Sequence, residues 1–302
     1  MPKLCYKAID FSERKRVLID SANVIIADYH RRGFDLTLRQ LYYQFVSRNL
    51  IPNTEASYKT LGDLIGDARL AGLIDWTAIV DRTRNVRGNA HWEKPSEVIE
   101  SAANSFALDK WLDQQHYVEV WVEKDALRGI VAQVCSRLDV RYFSCRGYTS
   151  LSEMWVAAQR LRERIKAGKN SVILHLGDHD PSGLDMTRDI KDRLDLFKCP
   201  ATIERIALNI NQIRQYGFPP NPAKVTDSRY AAYQEQYGDS SWELDAVDPQ
   251  VLVTIIEKAI RRYLQQSLFD AAVMREDVAK KGLRAIAANY VKVLHGIRDG
   301  KI

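Results

Sequence analysis

The stretch Ser171–Met186, SVILHLGDHDPSGLDM, constrains this chain more than any other. Val172 to Leu176 is a near-unbroken apolar run; Gly177 turns it, and Pro181 and Gly183 stop it. A short apolar run closed by turn residues reads as a strand buried on both faces, as in a parallel sheet. Asp178 and Asp180 stand at its carboxyl end, one residue apart. Ligands gather at the carboxyl ends of such strands. Two carboxylates held there repel each other. A divalent cation relieves the repulsion, and magnesium accepts carboxylate, water and phosphate oxygens together. Two readings stand: a magnesium site for phosphate chemistry, or a loop whose aspartates cap the following helix. His175 and His179 flank the pair, as structural histidines or, for His179, as a further metal contact.

The neighbouring segments extend the strand into a sheet. Tyr117 to Val122 alternates and ends on Glu123, followed by Lys124, Asp125 and a helical pattern carrying Leu127, Ile130, Val131 and Val134. Val140 to Phe143 reads as a second strand closed by Arg146 and Gly147. Ser152 to Lys166 reads as a helix, and Thr202 to Leu208 as a strand after one more helix. This alternation predicts an α/β fold with a mostly parallel sheet and helices on both faces. Glu123, Asp178 and Asp180 would then all sit at carboxyl ends of strands. Three converging carboxylates make a more credible metal site than two.

The front of the chain has a different rhythm. Phe11 to Arg32 reads as a helix with Val17, Leu18, Ala22, Ile25, Ile26 and Tyr29 inward, Ser12 as cap and Gly33 as stop. Thr37 caps a second helix bounded by Pro52, whose stripe is Leu38, Leu41, Tyr42, Phe45 and Val46. Tyr43 falls outside that stripe: at about 100° per residue it lies well over a quarter turn from the stripe's centre. Arg39, four residues earlier, is its neighbour on the helix surface. An arginine there can stabilise a phenolate or hold the phosphate it attacks; a surface tyrosine stacked on an arginine has the same pattern. A third helix is expected over Ala56–Ala71, and Leu73–Arg84 suggests short strands. Three helices and a strand pair describe a winged helix-turn-helix. Its tail carries Arg82, Arg84 and Arg87, which suit a DNA backbone or form a solvated basic loop.

Composition narrows the class. The 302 residues suffice for two domains, and a net charge of +5 is compatible with nucleic acid without requiring it. No apolar run is long enough for a membrane span, the opening residues carry no secretory pattern, and Cys5, Cys135, Cys145 and Cys199 lack metal-ligand spacing. A reduced, cytoplasmic protein is expected. Pro95–Trp111 reads as a linking helix, and Val251–Phe269 and Met274–Ile297 as amphipathic helices for packing or for a dimer surface. Between them lies a loop-rich segment ending in SSWELDAVDP. Its Glu243 and Asp245 are auxiliary site groups or, the preferred expectation, surface residues.

The order Glu123, Gly147, Asp178-His179-Asp180 resembles a Toprim domain. VEVWVEKDAL, CRGYTSL, LGDHDPSG and WELDAV resemble successive motifs of the A-type, DNA-cleaving half of topoisomerase VI, and LRQLYY resembles the Arg-x-x-Tyr-Tyr helix of that protein's winged-helix domain. The short chain is most similar to the stand-alone type called mini-A. The resemblance implies a winged-helix domain at 1–94, a linking helix at 95–116, and a Toprim domain with C-terminal helices at 117–302. It implies Tyr43 as nucleophile, Arg39 as phosphate ligand, and Glu123, Asp178 and Asp180 as magnesium ligands. Arg82, Arg84, Arg87, Lys124 and Arg146 would contact double-stranded DNA. It further implies a homodimer in which Tyr43 of one chain meets the metal site of the other. AGKNS (167–171) lacks the upstream glycine of a P-loop and the Ser/Thr directly after its lysine, and the resemblance implies that any ATPase subunit is encoded separately. The alternatives are a metal-dependent hydrolase using the same carboxylates, and a DNA-binding subunit inactive alone.

Overall fold

The computed structural model describes residues 3–34, 36–80 and 89–300. Three helices come first: α1 (Glu13–Arg31), α2 (Leu38–Ser47) and α3 (Glu55–Leu70). Thr37 caps α2 as its sequence requires. Its hydroxyl accepts the Gln40 N–H and the Gln40 side chain reaches back to the Thr37 N–H, a reciprocal capping box. The helix stops well before Pro52, and Asn49 beyond it takes a left-handed φ of 55°. α1 buries Ile19, Ala22, Ile25 and Tyr29. Val17, expected inside, is 59% exposed; at about 100° per residue it faces away from Ile19.

The strand pair expected after Gly72 is reduced, among the described residues, to one parallel bridge between Leu36 and Ile79. Asp75 is the reason. Its carboxylate accepts the Thr77 N–H at 2.7 Å, and this Asx turn draws the chain out of extended conformation. Arg82, Arg84 and Arg87 lie outside the described residues.

Helix α4 (Pro95–Ser105) follows, shorter than expected because Phe106 turns extended. The alternating region then runs β1 (His116–Val122), α5 (Arg128–Arg137), β2 (Arg141–Ser144), α6 (Leu151–Lys166), β3 (Asn170–Leu176), α7 (Pro181–Leu196) and β4 (Thr202–Ala207). The four strands form one parallel sheet in the order β2-β1-β3-β4. Its two faces are separately buried. Tyr117, Trp121 and Ile173 pack against Met154, Ala158 and Leu161 of α6 and against Ile190 and Leu194 of α7. Val118, Val120, Val172 and Leu174 face the other way, into a larger core continuous with that of α1, α2 and α3. Glu119 interrupts the apolar alternation at full burial. A bidentate pair with Arg160 (2.7 and 3.0 Å), the Tyr117 hydroxyl and the Trp121 indole satisfy it.

Beyond the sheet come α8 (Ile210–Tyr216), β5 (Asn221–Pro222), α9 (Tyr230–Tyr237) and β6 (Ser240–Ser241), with β5 and β6 paired antiparallel. Three helices close the chain where two were expected: α10 (Pro249–Arg261), α11 (Gln266–Ala288) and α12 (Tyr290–Arg298). The break between α10 and α11 is held by reciprocal bonds of Gln114 with the Gln265 N–H (2.8 Å) and carbonyl (3.0 Å). α11 packs along α4. Among the described residues no helix is long and apolar enough to cross a membrane.

Candidate active site

The strand order reverses between β1 and β3. β1 connects outward to β2 on one side and β3 to β4 on the other, so the crevice at their carboxyl ends is the topological switch point of the sheet. Glu123 leaves β1 there, and Gly177–Asp180 leaves β3. The Glu123 carboxylate accepts the Asp178 N–H at 3.0 Å, which ties the two ends together. Two glycines permit the approach. A Cβ at Gly177 would lie 2.9 Å from Glu123 Oε2, and one at Gly183 would collide with the Asp178 carbonyl.

Behind the loop, the buried Arg205 guanidinium from β4 acts as a clamp. It donates to the carbonyls of Gly177 (2.9 Å), Asp178 (2.5 Å) and Gly183 (2.8 Å) and to Thr187 Oγ1 (2.9 Å). Burial lowers its affinity for the proton to about 10. His175 and His179 are structural. His175 Nδ1 meets Thr187 Oγ1 and His179 Nδ1 meets Tyr233 Oη, both at 2.9 Å, and the His179 ring sits among Tyr233, Tyr237 and Trp242. Burial, reinforced by Arg205, keeps both imidazoles neutral, with values pushed down to about 3 and about 4.

The three acids expected to share a metal take different partners. Asp180 turns to α7 and caps it, accepting the Gly183 N–H at 2.5 Å. Asp178 accepts the Leu244 N–H at 2.7 Å and the Lys124 ammonium at 2.8 Å. Burial pushes the carboxyls of Glu123 and Asp178 above their usual range, helped by Asp180 at Glu123 and by Glu123 at Asp178, against Lys124. As oxygen donors the three suit magnesium. Among the described residues, however, no three His, Cys, Asp or Glu side chains are grouped to hold a metal ion. The positive charge beside Asp178 belongs to Lys124.

Lys124 is the hub of the site. Expected at a DNA backbone, its side chain is largely buried and its ammonium is shared among Asp178, Glu243 (2.6 Å) and Asp245 (3.5 Å). Burial opposes its charge, but Asp178, Asp245 and Glu243 outweigh burial and hold the proton above the usual lysine range. The segment 242–245 that supplies two of these acids is sewn to the acidic loop. His179 and Trp242 exchange backbone hydrogen bonds at 2.8 and 2.9 Å, and Leu244 reaches Asp178. The expectation of surface positions for Glu243 and Asp245 is therefore overturned. The Asp245 side chain is 0% accessible, and Glu243 is enclosed by Lys124, Arg39 and Tyr43. Sequence did hold a signal for them in the WELDA wording, yet nothing local in a turn-rich segment places a carboxylate inside.

From the other side, α2 delivers Arg39 and Tyr43. Arg39 Nε donates to Asp245 Oδ2 at 3.0 Å, and its guanidinium lies 5.7 Å from the Tyr43 ring centroid, as their four-residue spacing requires. Tyr43 is off the α2 stripe but not presented to solvent. It is 7% exposed, because the second face of α2 packs on the Leu244–Ala246 turn. Its hydroxyl donates to Glu243 Oε2 at 2.6 Å. Burial and the Glu243 carboxylate raise the phenol well above its ordinary value, against Lys124 and Arg39. On the far side of Tyr43, a cavity of 280 Å³ is lined by Arg39, Tyr42, Tyr43, Asn53, Thr54, Glu55 and Tyr58. Arg146 stands apart, its side chain 69% exposed beyond β2 and 3.3 Å from Asp125.

No protein-family model matches this chain, and no curated protein matches it.

Proposed function

We propose that this protein is a DNA-cleaving transesterase in which Tyr43 attacks a backbone phosphorus and becomes joined to the 5′-phosphate. One observation carries the reading. A phenol on a front helix and the acids at the switch point of a parallel sheet belong to one hydrogen-bonded chain, Tyr43–Glu243–Lys124–Asp178, with links of 2.6, 2.6 and 2.8 Å. The finer fold that supports it is a winged helix-turn-helix on α1–α3 followed by a Toprim-like sheet. The residues divide the work. Arg39 and Lys124 bring positive charge to the phosphate, where charge develops. Glu123, Asp178 and Asp180, which take separate partners here, would have to turn toward one another to hold magnesium, which when bound would supply further positive charge for the phosphoryl oxygens. Exchanging one phosphate ester for another leaves the break reversible and needs no ATP. Double-stranded DNA is the substrate, and two copies of the chain would cut its two strands.

Burial of Tyr43 favours a second reading, a hydrolase in which the same carboxylates serve an attacking water and Tyr43 is packing. Labelled duplex DNA incubated with the protein and magnesium, then run on denaturing gels, separates the two. The transesterase reading expects a covalent protein–DNA adduct that Tyr43→Phe abolishes. Free ends that survive Tyr43→Phe and disappear in Asp178→Ala would establish the hydrolase instead.

A further inference from the structure

The acid nearest the Tyr43 phenol is not one of the three at the strand ends. Asp178 is engaged by the Leu244 N–H and by Lys124, Glu123 holds the Asp178 N–H, and Asp180 caps α7. The oxygen that receives the Tyr43 O–H is Glu243 Oε2, at 2.6 Å. That carboxylate is held from several directions. Trp242 before it is hydrogen-bonded through its backbone to His179 at 2.8 and 2.9 Å, and Leu244 after it to Asp178 at 2.7 Å. Lys124 grips the same oxygen at 2.6 Å, and Arg39 lies 3.6 Å from it. Arg39 and Tyr43 also line the cavity that Asn53, Thr54 and Tyr58 share.

Resting on the transesterase reading, we infer that Glu243 is the general base of the reaction. It takes the Tyr43 proton as Oη attacks. The Oη–P bond forms, and the P–O3′ bond breaks with its electron pair leaving on the 3′-oxygen. That oxygen takes a proton from water, and Glu243 returns its proton to solvent, so one ester replaces another with no net proton. A half-buried carboxylate that already accepts the O–H needs no rearrangement to do this. Although burial opposes its charge, Lys124, then Tyr43 and Arg39, keep Glu243 ionised below its usual range and so available as an acceptor.

The test pairs Glu243→Gln with 3,5-difluorotyrosine at position 43, whose phenol is more acidic. Single-turnover adduct formation on labelled duplex with magnesium is measured in all four combinations of the full-length protein. Removal of a general base slows the step by roughly 10²–10⁴-fold. The difluoro residue is expected to recover at least tenfold of that in Glu243→Gln, so that Glu243→Gln slows the difluorotyrosine protein less than it slows the unsubstituted one. Glu243→Gln at the unsubstituted rate, or a slowing that fluorination leaves untouched, would overturn the role while leaving the transesterase reading standing. Absence of adduct from the unsubstituted protein removes both. A second readout needs neither metal nor DNA: the absorbance titration of the difluorophenol should move to lower pH in Glu243→Gln, and an unmoved titration would mean that the two side chains do not meet.

Discussion

Lys124→Met is the sharpest perturbation of the site's electrostatics, because it keeps most of the side chain's length and removes the ammonium group. In the native protein that ammonium lies 2.8 Å from Asp178, 2.6 Å from Glu243 and 3.5 Å from Asp245. Breaking a buried pair by deleting one partner costs about 3–5 kcal/mol, since the remaining charge is left without compensation. Two short contacts to enclosed acids place Lys124→Met within that range near neutral pH. The loss should depend on pH with a definite sign. Without Lys124, the Asp178 carboxyl, already raised by burial, moves further up, and Glu243 loses the strongest of the charges that hold it down. The variant's deficit is then small below about pH 4, where both are protonated, and grows as pH rises through the folded values. The native protein narrows the gap further in acid, where the Lys124–Glu243 pair is itself lost. A divalent cation entering the acidic cluster should stabilise the variant more than the native protein; a hundredfold excess over the variant's Kd would stabilise the variant by about 2.7 kcal/mol. Urea unfolding followed by tryptophan fluorescence at pH 5, 7 and 8, with and without magnesium, reads all three effects. A variant as stable as the native protein at pH 8, with the same pH profile, would refute the buried cluster.

Other expectations follow from single contacts. Glu119→Gln deprives Arg160 of its bidentate partner inside the sheet and should destabilise by about 3–5 kcal/mol in denaturant melts, with Glu119→Leu/Arg160→Met recovering part of the loss. Gly183→Ala would drive a methyl group into the Asp178 carbonyl, so a lowered Tm in thermal melts is expected. Glu276 accepts the Leu108 N–H and the ammonium groups of Lys110 and Lys280, and these hold its carboxyl down at about 2. Its contribution is present above the unfolded value of about 4.3 and is lost as pH falls toward 2. Glu276→Gln should therefore cost about 2 kcal/mol at neutral pH and little at pH 2–3.

Much of this architecture could be read from local pattern. The apolar run at Val172–Leu176, the alternation at Tyr117–Val122 and the capping chemistry at Thr37 each act over a few residues, and each forms the expected element. What escaped the sequence was long-range. Tyr43 does stand off the α2 stripe, but its burial depends on Glu243, 200 residues away. A helix that packs on two sides cannot be told from an amphipathic one by its stripe alone. Lys124 follows Glu123 and reads as a surface cation, until three acids from two distant segments close around it. Among the described residues, the strands expected after Gly72 were undone by the small Asx turn at Asp75, whose hydrogen bond competes with extended structure.

The central claim is that the phenol of Tyr43, and no other side chain, takes the phosphate. Mass spectrometry of nuclease-trimmed adduct tests it directly, through the tryptic peptide Gln40–Arg48, which carries both Tyr42 and Tyr43. A nucleotide mass on that peptide is expected, with a fragment series that places it on Tyr43. Nucleotide on Tyr42, on any other peptide, or on none would contradict it.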